Sequence, residues 1–373
     1  MTSDVRAPSA VTAALAADRL GVWSVVNFVM SGVAPLTVAA GVVTTAFAVT
    51  GLVSIPAAFI CVAVVAGVFS VGYTAMGRHI TNSGAFYGFV TRGLGRPAGV
   101  AAALVALAAY ACLQVGLFGA FGPGAADYAS AHMGWHVPWW LWALGAWAVV
   151  AVLSLLRVEL NGRILGVLMG CEVLVILALS LAGLARQHHG MALSTLNPLD
   201  LPWHGLGALA VIATLGCVGF EGAVVLTEEC RDRRRTIPIA TFASLGLIAV
   251  LYGLASWAMA VFYGTDNVVA ATQQAGPGAL FAMAGGFLSL AGQTLYLTSL
   301  FAVILSFGVD HGRGQGGRVE DTVLDTAAGP VHRSSARTDR YRSATFCVGP
   351  GRWITGCGAA GSLLSERLGE LAA

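Results

Sequence analysis

Long apolar stretches alternate with short polar segments over most of the chain. Eight stretches are about as long as the roughly 20 residues that a helix needs to cross the hydrocarbon core of a bilayer. They cover residues 22–47, 52–73, 98–121, 138–157, 163–184, 205–227, 238–263 and 278–307. Transmembrane strands would instead give alternating segments of about ten residues, a pattern that these stretches do not follow. The pattern therefore predicts an all-α integral membrane protein with about eight transmembrane helices.

The composition supports this prediction. Hydrophobic residues make up 57% of the chain, charged residues only 10%, and the mean hydropathy is +0.78. A soluble domain is about half apolar and a quarter charged, so this chain could not cover its surface with polar groups in water. The net charge is only +2, and all basic residues are Arg, which gives no reason to expect a nucleic-acid partner.

The positions of the Arg residues predict the orientation in the membrane. A cytoplasmic N-terminal segment, residues 1–21, leaves only Arg186 in a predicted external loop. The predicted cytoplasmic segments then contain Arg6, Arg19, Arg78, Arg92, Arg96, Arg157, Arg163, Arg231, Arg233, Arg234 and Arg235. Cytoplasmic loops of membrane proteins are enriched in Lys and Arg. We therefore predict a multi-pass protein of the cell (plasma) membrane with a cytoplasmic N-terminus and membrane lipid as a partner.

The chain changes character after the predicted transmembrane domain, residues 22–308. Residues 309–373 are rich in Arg and Gly and contain no stretch that could span a bilayer. One interpretation is a disordered cytoplasmic tail. The other is out-of-frame translation, which in G+C-rich DNA tends to give such patternless sequence.

Two of the predicted helices carry an interruption near mid-span. The first contains Met30-Ser-Gly-Val-Ala-Pro-Leu36, in which Pro35 has no amide hydrogen and Gly32 tolerates non-helical angles. The sixth contains Leu215-Gly-Cys-Val-Gly-Phe-Glu-Gly222, with a carboxylate at Glu221. Broken backbone cannot face lipid, and a carboxylate at the bilayer centre costs about 2.5–3.5 kcal/mol on insertion scales. Both interruptions are therefore expected to face the interior of the bundle.

The spacing of the two interruptions predicts a repeat. The interrupted helices are the first and the sixth, an offset of five, which is what an inverted five-helix repeat produces, with the substrate site where the breaks meet. The free amides and carbonyls of half-helices suit a carboxylate and an ammonium group. A simple Pro kink is the alternative for the first helix, but the matching break in the sixth favours a site for a zwitterion.

Three motifs in this order resemble the amino acid–polyamine–organocation permease family. They are Met30-Ser-Gly-Val-Ala-Pro-Leu-Thr-Val-Ala-Ala-Gly41, Ile80-Thr-Asn-Ser-Gly-Ala-Phe-Tyr-Gly-Phe-Val90, and Gly219-Phe-Glu-Gly followed by Glu228-Glu-Cys-Arg-Asp-Arg-Arg-Arg-Thr-Ile-Pro238. The resemblance runs from about Leu20 to Phe307. It implies a transporter fold in which the first ten of twelve helices form the inverted repeat. It also implies substrate contacts of three kinds: carboxylate contacts at Ser31, Gly32 and Val33, ammonium contacts at Gly216, Cys217 and Val218, and a side-chain pocket or gate at Leu215 and Phe220.

The sequence departs from the family pattern at several places. Thr81 and Arg233 stand where many members have Pro and Asp-Pro, and the resemblance ends abruptly at Phe307. The abrupt end favours out-of-frame translation of the tail, with the second repeat incomplete. It also leaves the transport competence of the chain open.

Further polar residues inside predicted helices are candidates for ion coupling. Glu172 in the fifth helix is either a proton-coupling carboxylate or a structural hydrogen-bonding group, and Glu221 is the second proton-coupling candidate. Thr298 and Ser299 are weaker candidates for Na⁺, because hydroxyls more often bond to their own helix. No cofactor, metal site or catalytic motif is indicated, so we do not expect an enzyme.

We therefore predict secondary active transport of an amino acid or related amine by alternating access. Two intramembrane carboxylates favour a proton over Na⁺ as the coupling ion. The alternative is a non-transporting truncated membrane protein, either an inactive fragment or a binding or sensory remnant. The sequence indicates no oligomeric state.

Overall fold

The chain is described here by a computed structural model that covers residues 21–79, 85–155, 162–186, 190–201, 203, 205–226, 230 and 232–310. Residues 1–20, residues 80–84 of the second motif and residues 311–373 of the tail lie outside the described residues. Within the described part, seven helices are long and apolar enough to cross a membrane, and Trp139–Leu153 is a shorter apolar helical segment.

The first broken span and the helices after it make up the first half of the bundle. Its elements are α1 (Val22–Val33), α2 (Pro35–Thr37), a π-helical turn (Val38–Val42), α3 (Val43–Thr50), α4 (Ile55–His79), α5 (Ala85–Leu94), α6 (Arg96–Met133) and α7 (Trp139–Leu155). The break after α1 is a single residue, Ala34, in the left-handed conformation (φ 49°).

The second half begins with a long helix and contains the second broken span. Its elements are α8 (Gly162–Ala185), two 3₁₀ turns (Leu193–Leu196 and Pro198–Asp200), α9 (Leu206–Cys217), α10 (Gly222–Val225), α11 (Arg233–Tyr263), α12 (Val268–Ala275), α13 (Gly278–Ala282) and α14 (Phe287–Asp310).

The predicted spans follow the order of these helices, and two of the differences in their bounds are large. Helix α6 continues to Met133, beyond the predicted end at residue 121, although Pro123 lies inside it. The eighth predicted stretch, 278–307, is not one helix. It is interrupted between α13 and α14, where Gly286 adopts a left-handed φ of 62°, and only the segment from Phe287 is a candidate span. Hydropathy detects apolar length, but it does not detect a break that one Gly makes.

The centre of the bundle consists of the first broken span and α11. Most of their residues are buried inside the bundle, whereas few residues of α6 are buried. Helix α11 packs against α4, α8 and α1. The first broken span is therefore held on several sides, which makes it the natural position for a site away from lipid.

The direction of the chain defines two ends of the bundle. We call the end where α1 begins the Val22 end, and the end where α3 finishes the Thr50 end. At the Thr50 end, Gln273 of α12 donates to the carbonyl of Ala48 (2.9 Å), and Tyr128 near the end of α6 bonds to Thr294 near the start of α14 (2.9 Å).

Candidate functional site

The break in the first span leaves backbone carbonyls without their usual partners. Pro35 has no amide to give to Ser31, and the amide of Leu36 donates to Oε2 of Glu172 at 3.0 Å instead of to Gly32. The amides of Ser31, Gly32 and Val33 belong to the last turn of α1. Because amides in a helix point toward its N-terminus, α1 presents carbonyl oxygens to the break.

The break in the sixth span has a similar character. Helix α9 ends at Cys217, Val218 is extended (ψ 135°), and Gly219 has a φ of 113° that favours glycine. The amide of Gly219 donates to Oε2 of Glu221 at 2.8 Å, so the carboxylate satisfies the backbone that the break exposes. Helix α9, like α1, presents its carbonyl end to the break.

The two breaks touch each other. A Cβ atom added at Gly219 would lie 2.8 Å from Cγ2 of Val33 and 3.5 Å from its backbone nitrogen. A side chain at position 219 would therefore separate the spans. The motifs in the sequence predict that the two breaks meet at one place, and the contact between Gly219 and Val33 agrees with that prediction.

A cavity of about 960 Å³ begins at the breaks and extends to the Thr50 end. Four of the predicted substrate residues line it: Gly32, Val33, Leu215 and Val218. Most of the wall is apolar and comes from the first broken span and α6, with smaller contributions from α9 and α14. At the Thr50 end the wall includes Asp127, Ala131 and Gln293, of which Asp127 and Ala131 are exposed.

The other four predicted substrate residues do not line this cavity. Ser31 donates its hydroxyl to the carbonyl of Asn27 (2.6 Å), within its own helix. Gly216 packs so closely on Phe59 that an added Cβ would lie 2.9 Å from the ring. Cys217 is buried, and Phe220 makes an edge-to-face contact with Phe69 at a centroid distance of 6.5 Å.

Glu172 connects the first break to α14. Its Oε2 accepts from the amide of Leu36, and its Oε1 accepts from the hydroxyl of Ser299 at 2.6 Å. The residue is only 3% exposed. A carboxylate buried in a membrane bundle needs such partners. These two hydrogen bonds are what a structural role for Glu172 requires.

Glu221 belongs to a group of side chains on the Val22 side of the breaks. Tyr110 donates to its Oε1 at 3.1 Å, and Tyr73 donates to its backbone carbonyl at 3.3 Å. Tyr73 also packs edge-to-face on Phe89, and Val224 packs against Gly77, where an added Cβ would lie 3.3 Å away. These contacts join α4, α5, α6 and α10 on the Val22 side of the breaks.

The two Na⁺ candidates have different environments. Thr298 is exposed and donates to the carbonyl of Thr294 (2.8 Å), whereas Ser299 is buried and donates to Glu172. Among the described residues there is no group of three or more His, Cys, Asp or Glu side chains that could hold a metal ion.

Three residues near the breaks were not predicted from the sequence: Thr37, Tyr110 and Tyr296. All three are polar side chains within apolar stretches, and that contrast was the available signal. Thr37 and Tyr296 line the cavity, and Tyr110 bonds to Glu221. Their roles depend on which face of a helix meets the breaks, which a single sequence does not specify.

Comparisons with known proteins give one family. The family model described as "Amino acid permease" matches residues 20–315, which is more than three quarters of the chain. No curated protein gives a significant match. The family is one of transporters and not of enzymes, and the matched region contains both breaks and every residue of the site. The chain therefore belongs to the amino acid permease family, whose members carry amino acids or related amines across membranes.

Proposed function

We propose that this chain is a secondary active transporter of an amino acid or related amine that works by alternating access and is driven by protons. The observation that carries the proposal is the cavity that ends where the two broken spans touch. Broken helices at mid-membrane are where transporters of this kind bind substrate. The inverted five-helix repeat, with its second repeat incomplete, belongs to the same proposal.

The backbone at the breaks suits the charged groups of a zwitterion. Carbonyl oxygens at the ends of α1 and α9 are acceptors for an ammonium group, and neither α1 nor α9 has a basic residue in its last turn to compete for them. Gly32, Val33 and Val218 contribute cavity wall at this level, and Leu215 adds an apolar surface for the substrate side chain. In this proposal the other four predicted residues stabilise the breaks and do not contact the substrate. They are Ser31, Gly216, Cys217 and Phe220.

The asymmetry of the two sides supports alternating access. The cavity extends from the breaks to the Thr50 end. On the Val22 side, hydrogen bonds and packing contacts join the residues Tyr73, Tyr110, Glu221 and Val224 to elements of the bundle. In this conformation substrate enters from the Thr50 end. Its release at the Val22 end requires that the contacts around Glu221 open. The excess of Arg in loops at the Val22 end makes that end cytoplasmic in our proposal.

Proton coupling is supported by the placement of the two carboxylates. Glu172 bonds to the first break and Glu221 bonds to the second, so a proton taken up by either carboxylate would be bound directly beside a broken span. Thr298 and Ser299 favour Na⁺ less, because the first is exposed and the second is bonded to Glu172.

Uptake into proteoliposomes tests the proposal. The full chain is reconstituted, and accumulation of radiolabelled L-leucine, L-alanine and L-phenylalanine is measured with an inward proton gradient, with an inward Na⁺ gradient, and with neither. We expect concentrative uptake of at least one amino acid with the proton gradient and its loss when a protonophore is added. Accumulation that follows the Na⁺ gradient alone would overturn proton coupling. Binding without uptake would establish the non-transporting alternative instead.

A further inference from the structure

One side of helix α6 faces the cavity along much of its length. Gly116, Ala120, Gly124, Asp127 and Ala131 line the cavity, and they recur at intervals of three or four residues. Residues at this spacing share one face of a helix. Asp127 therefore lies on the cavity side of α6, near the mouth at the Thr50 end, and it is exposed.

The acidic side chain of Asp127 has no counter-charge at the mouth of the cavity. It is the only Asp or Glu among the described residues that line the cavity, and no Arg or His lines it there. Two basic groups at the Thr50 end contact other residues: Arg186 lies 3.6 Å from the position of an added Cβ at Gly285, and His132 lies 3.5 Å from Oε1 of Gln293. Within the described part of the chain, the Asp127 carboxylate makes no hydrogen bond or ion pair with another side chain.

A charge at this position affects molecules as they enter the cavity. Low-dielectric walls focus the field of a charge in a cleft, and such focusing changes the association rates of charged ligands by about tenfold or more. The wall of this cavity is mostly apolar, so the field of Asp127 is focused in the same way. Because the breaks lie deeper, Asp127 acts on molecules on their way to the breaks.

The sign of this charge separates classes of amino acid. The ammonium and carboxylate groups that all α-amino acids share cancel each other, so the side chain sets the net charge. An amino acid with an acidic side chain has a net negative charge and is repelled by Asp127. Neutral and basic amino acids, and amines without a carboxylate, are not repelled.

We infer that Asp127 determines the charge selectivity of the cavity entrance. It favours neutral and cationic amino acids and amines, and it slows the entry of acidic amino acids. The inference rests on the proposed function and narrows its substrate class. It gives a role to a residue that belongs neither to the breaks nor to the two carboxylates bonded to them.

Thiol reagents of different charge test the entrance without requiring transport. The reporter protein is the full chain with Ala120→Cys and Cys112→Ser, because Ala120 is exposed and lines the cavity. It lies about 10 Å deeper along α6 than Asp127, at 1.5 Å per residue. Three methanethiosulfonates are applied at the Thr50 end: a trimethylammonium-ethyl cation, a sulfonatoethyl anion and a neutral hydroxyethyl compound.

The reaction rates are corrected for the chemistry of each reagent. The thiolate attacks the reagent to form a mixed disulfide and releases methanesulfinate. Each rate is divided by the rate of the same reagent with free 2-mercaptoethanol. The protein with Cys112→Ser alone gives the background from the other cysteines.

The variants change the charge at the mouth of the cavity. Asp127→Asn removes the acidic group at nearly constant size, and Asp127→Arg reverses its sign. Asp266→Asn is the matched control, because Asp266 is exposed in the turn before α12 but does not line the cavity.

We expect the reporter protein to react faster with the cation than with the anion. The ratio of these two rates should fall about fivefold or more in Asp127→Asn, as removal of one unit charge at close range implies, and further in Asp127→Arg. The rate of the neutral reagent should not change, and Asp266→Asn should keep the ratio of the reporter protein. High salt should lower that ratio toward the value of Asp127→Asn, because salt screens exposed charges.

Competition for uptake connects the entrance with the substrate. L-Glutamate differs from L-glutamine only in having a side-chain carboxylate in place of an amide. In proteoliposomes with the wild type, excess L-glutamine should inhibit L-leucine uptake more than L-glutamate does, and the difference should narrow in Asp127→Asn. Equal inhibition by the two compounds in the wild type would contradict the inferred substrate class.

The outcomes separate this inference from the proposed function. If the cation-to-anion ratio is unchanged in Asp127→Asn, or falls equally in Asp266→Asn, Asp127 does not control the entrance, and uptake of an amino acid by the wild type would leave the proposed function standing. If no reagent modifies the reporter protein, the cavity is not an entrance and the inference fails. If the ratio responds as expected but the wild type takes up no amino acid, the proposed function fails and the charge selectivity of the entrance stands.

Discussion

Oε2 of Glu172 lies 3.0 Å from the amide nitrogen of Leu36, although 136 residues separate the two along the chain. The hydroxyl of Ser299 donates to the other carboxylate oxygen, so the Glu172 side chain joins the break in the first span to α14. A serine hydroxyl can donate or accept, and a protonated carboxyl keeps an acceptor oxygen. The bridge can therefore persist with Glu172 either charged or neutral, which makes the residue suitable for both roles considered for it.

Substitution of Glu172 should affect stability according to hydrogen-bonding capacity. In Glu172→Gln the amide oxygen can accept from Leu36 and the NH₂ group can donate to Ser299, so we expect a loss of no more than about 1 kcal/mol. Glu172→Leu has a similar volume but leaves both partners unpaired, and should lose about 1–3 kcal/mol for each. Thermal unfolding in detergent measures the difference. Equal stability of the two variants would mean that the bridge does not contribute.

The same Gln substitution, made at Glu172 and separately at Glu221, should identify the proton-coupling residue. When a proton enters with the substrate, a lower external pH raises the driving force, so wild-type uptake should increase as the external pH falls. A glutamine cannot titrate. The variant at the coupling position should therefore retain binding but show uptake that no longer depends on the proton gradient. If both variants keep the wild-type pH profile, both carboxylates are structural and the proton pathway lies elsewhere.

The transmembrane spans could be predicted from the length of the apolar stretches. The two breaks could be predicted from Pro35 and from the glycines around Glu221. These features act locally, so they can be detected in one sequence. The partners of Glu172 could not be, because Leu36 and Ser299 are distant in the chain and the bridge depends on the packing of α2, α8 and α14. Gly286, which separates α13 from α14, is one glycine among 48, and its positive φ is visible only in the folded chain.

Gly219 and Gly222 form a matched pair for testing the contact between the breaks. Gly219→Ala introduces a Cβ at 2.8 Å from Val33 in a backbone conformation that favours glycine, so we expect it to abolish binding of L-leucine and to destabilise the fold by at least 1–2 kcal/mol, as strained φ values typically do. A Cβ at Gly222 meets nothing within 4 Å. Gly222→Ala lies at the start of α10 and should be neutral or stabilising by up to about 1 kcal/mol. Similar effects of both substitutions on binding would show that the close approach to Val33 is not needed.

Cys112 provides a native probe of access to the cavity. It is exposed and lines the cavity wall, whereas Cys171 is exposed but lies outside the lining, and Cys217 is buried. A membrane-impermeant, cationic methanethiosulfonate applied at the Thr50 end should form a mixed disulfide with Cys112 and release a sulfinate. The bulky adduct would occupy the cavity, so uptake of L-leucine should fall.

The controls for this experiment separate the cavity from the rest of the surface. Cys112→Ser should make uptake resistant to the reagent, whereas Cys171→Ser should leave it as sensitive as the wild type. Excess L-leucine should slow the inhibition, because substrate in the cavity excludes the reagent. Reagent confined to the Val22 end should act more slowly, since hydrogen bonds hold Tyr73 and Tyr110 to Glu221 on that side of the breaks. Inhibition that persists in Cys112→Ser, or that is equally fast from both ends, would contradict access from the Thr50 end alone.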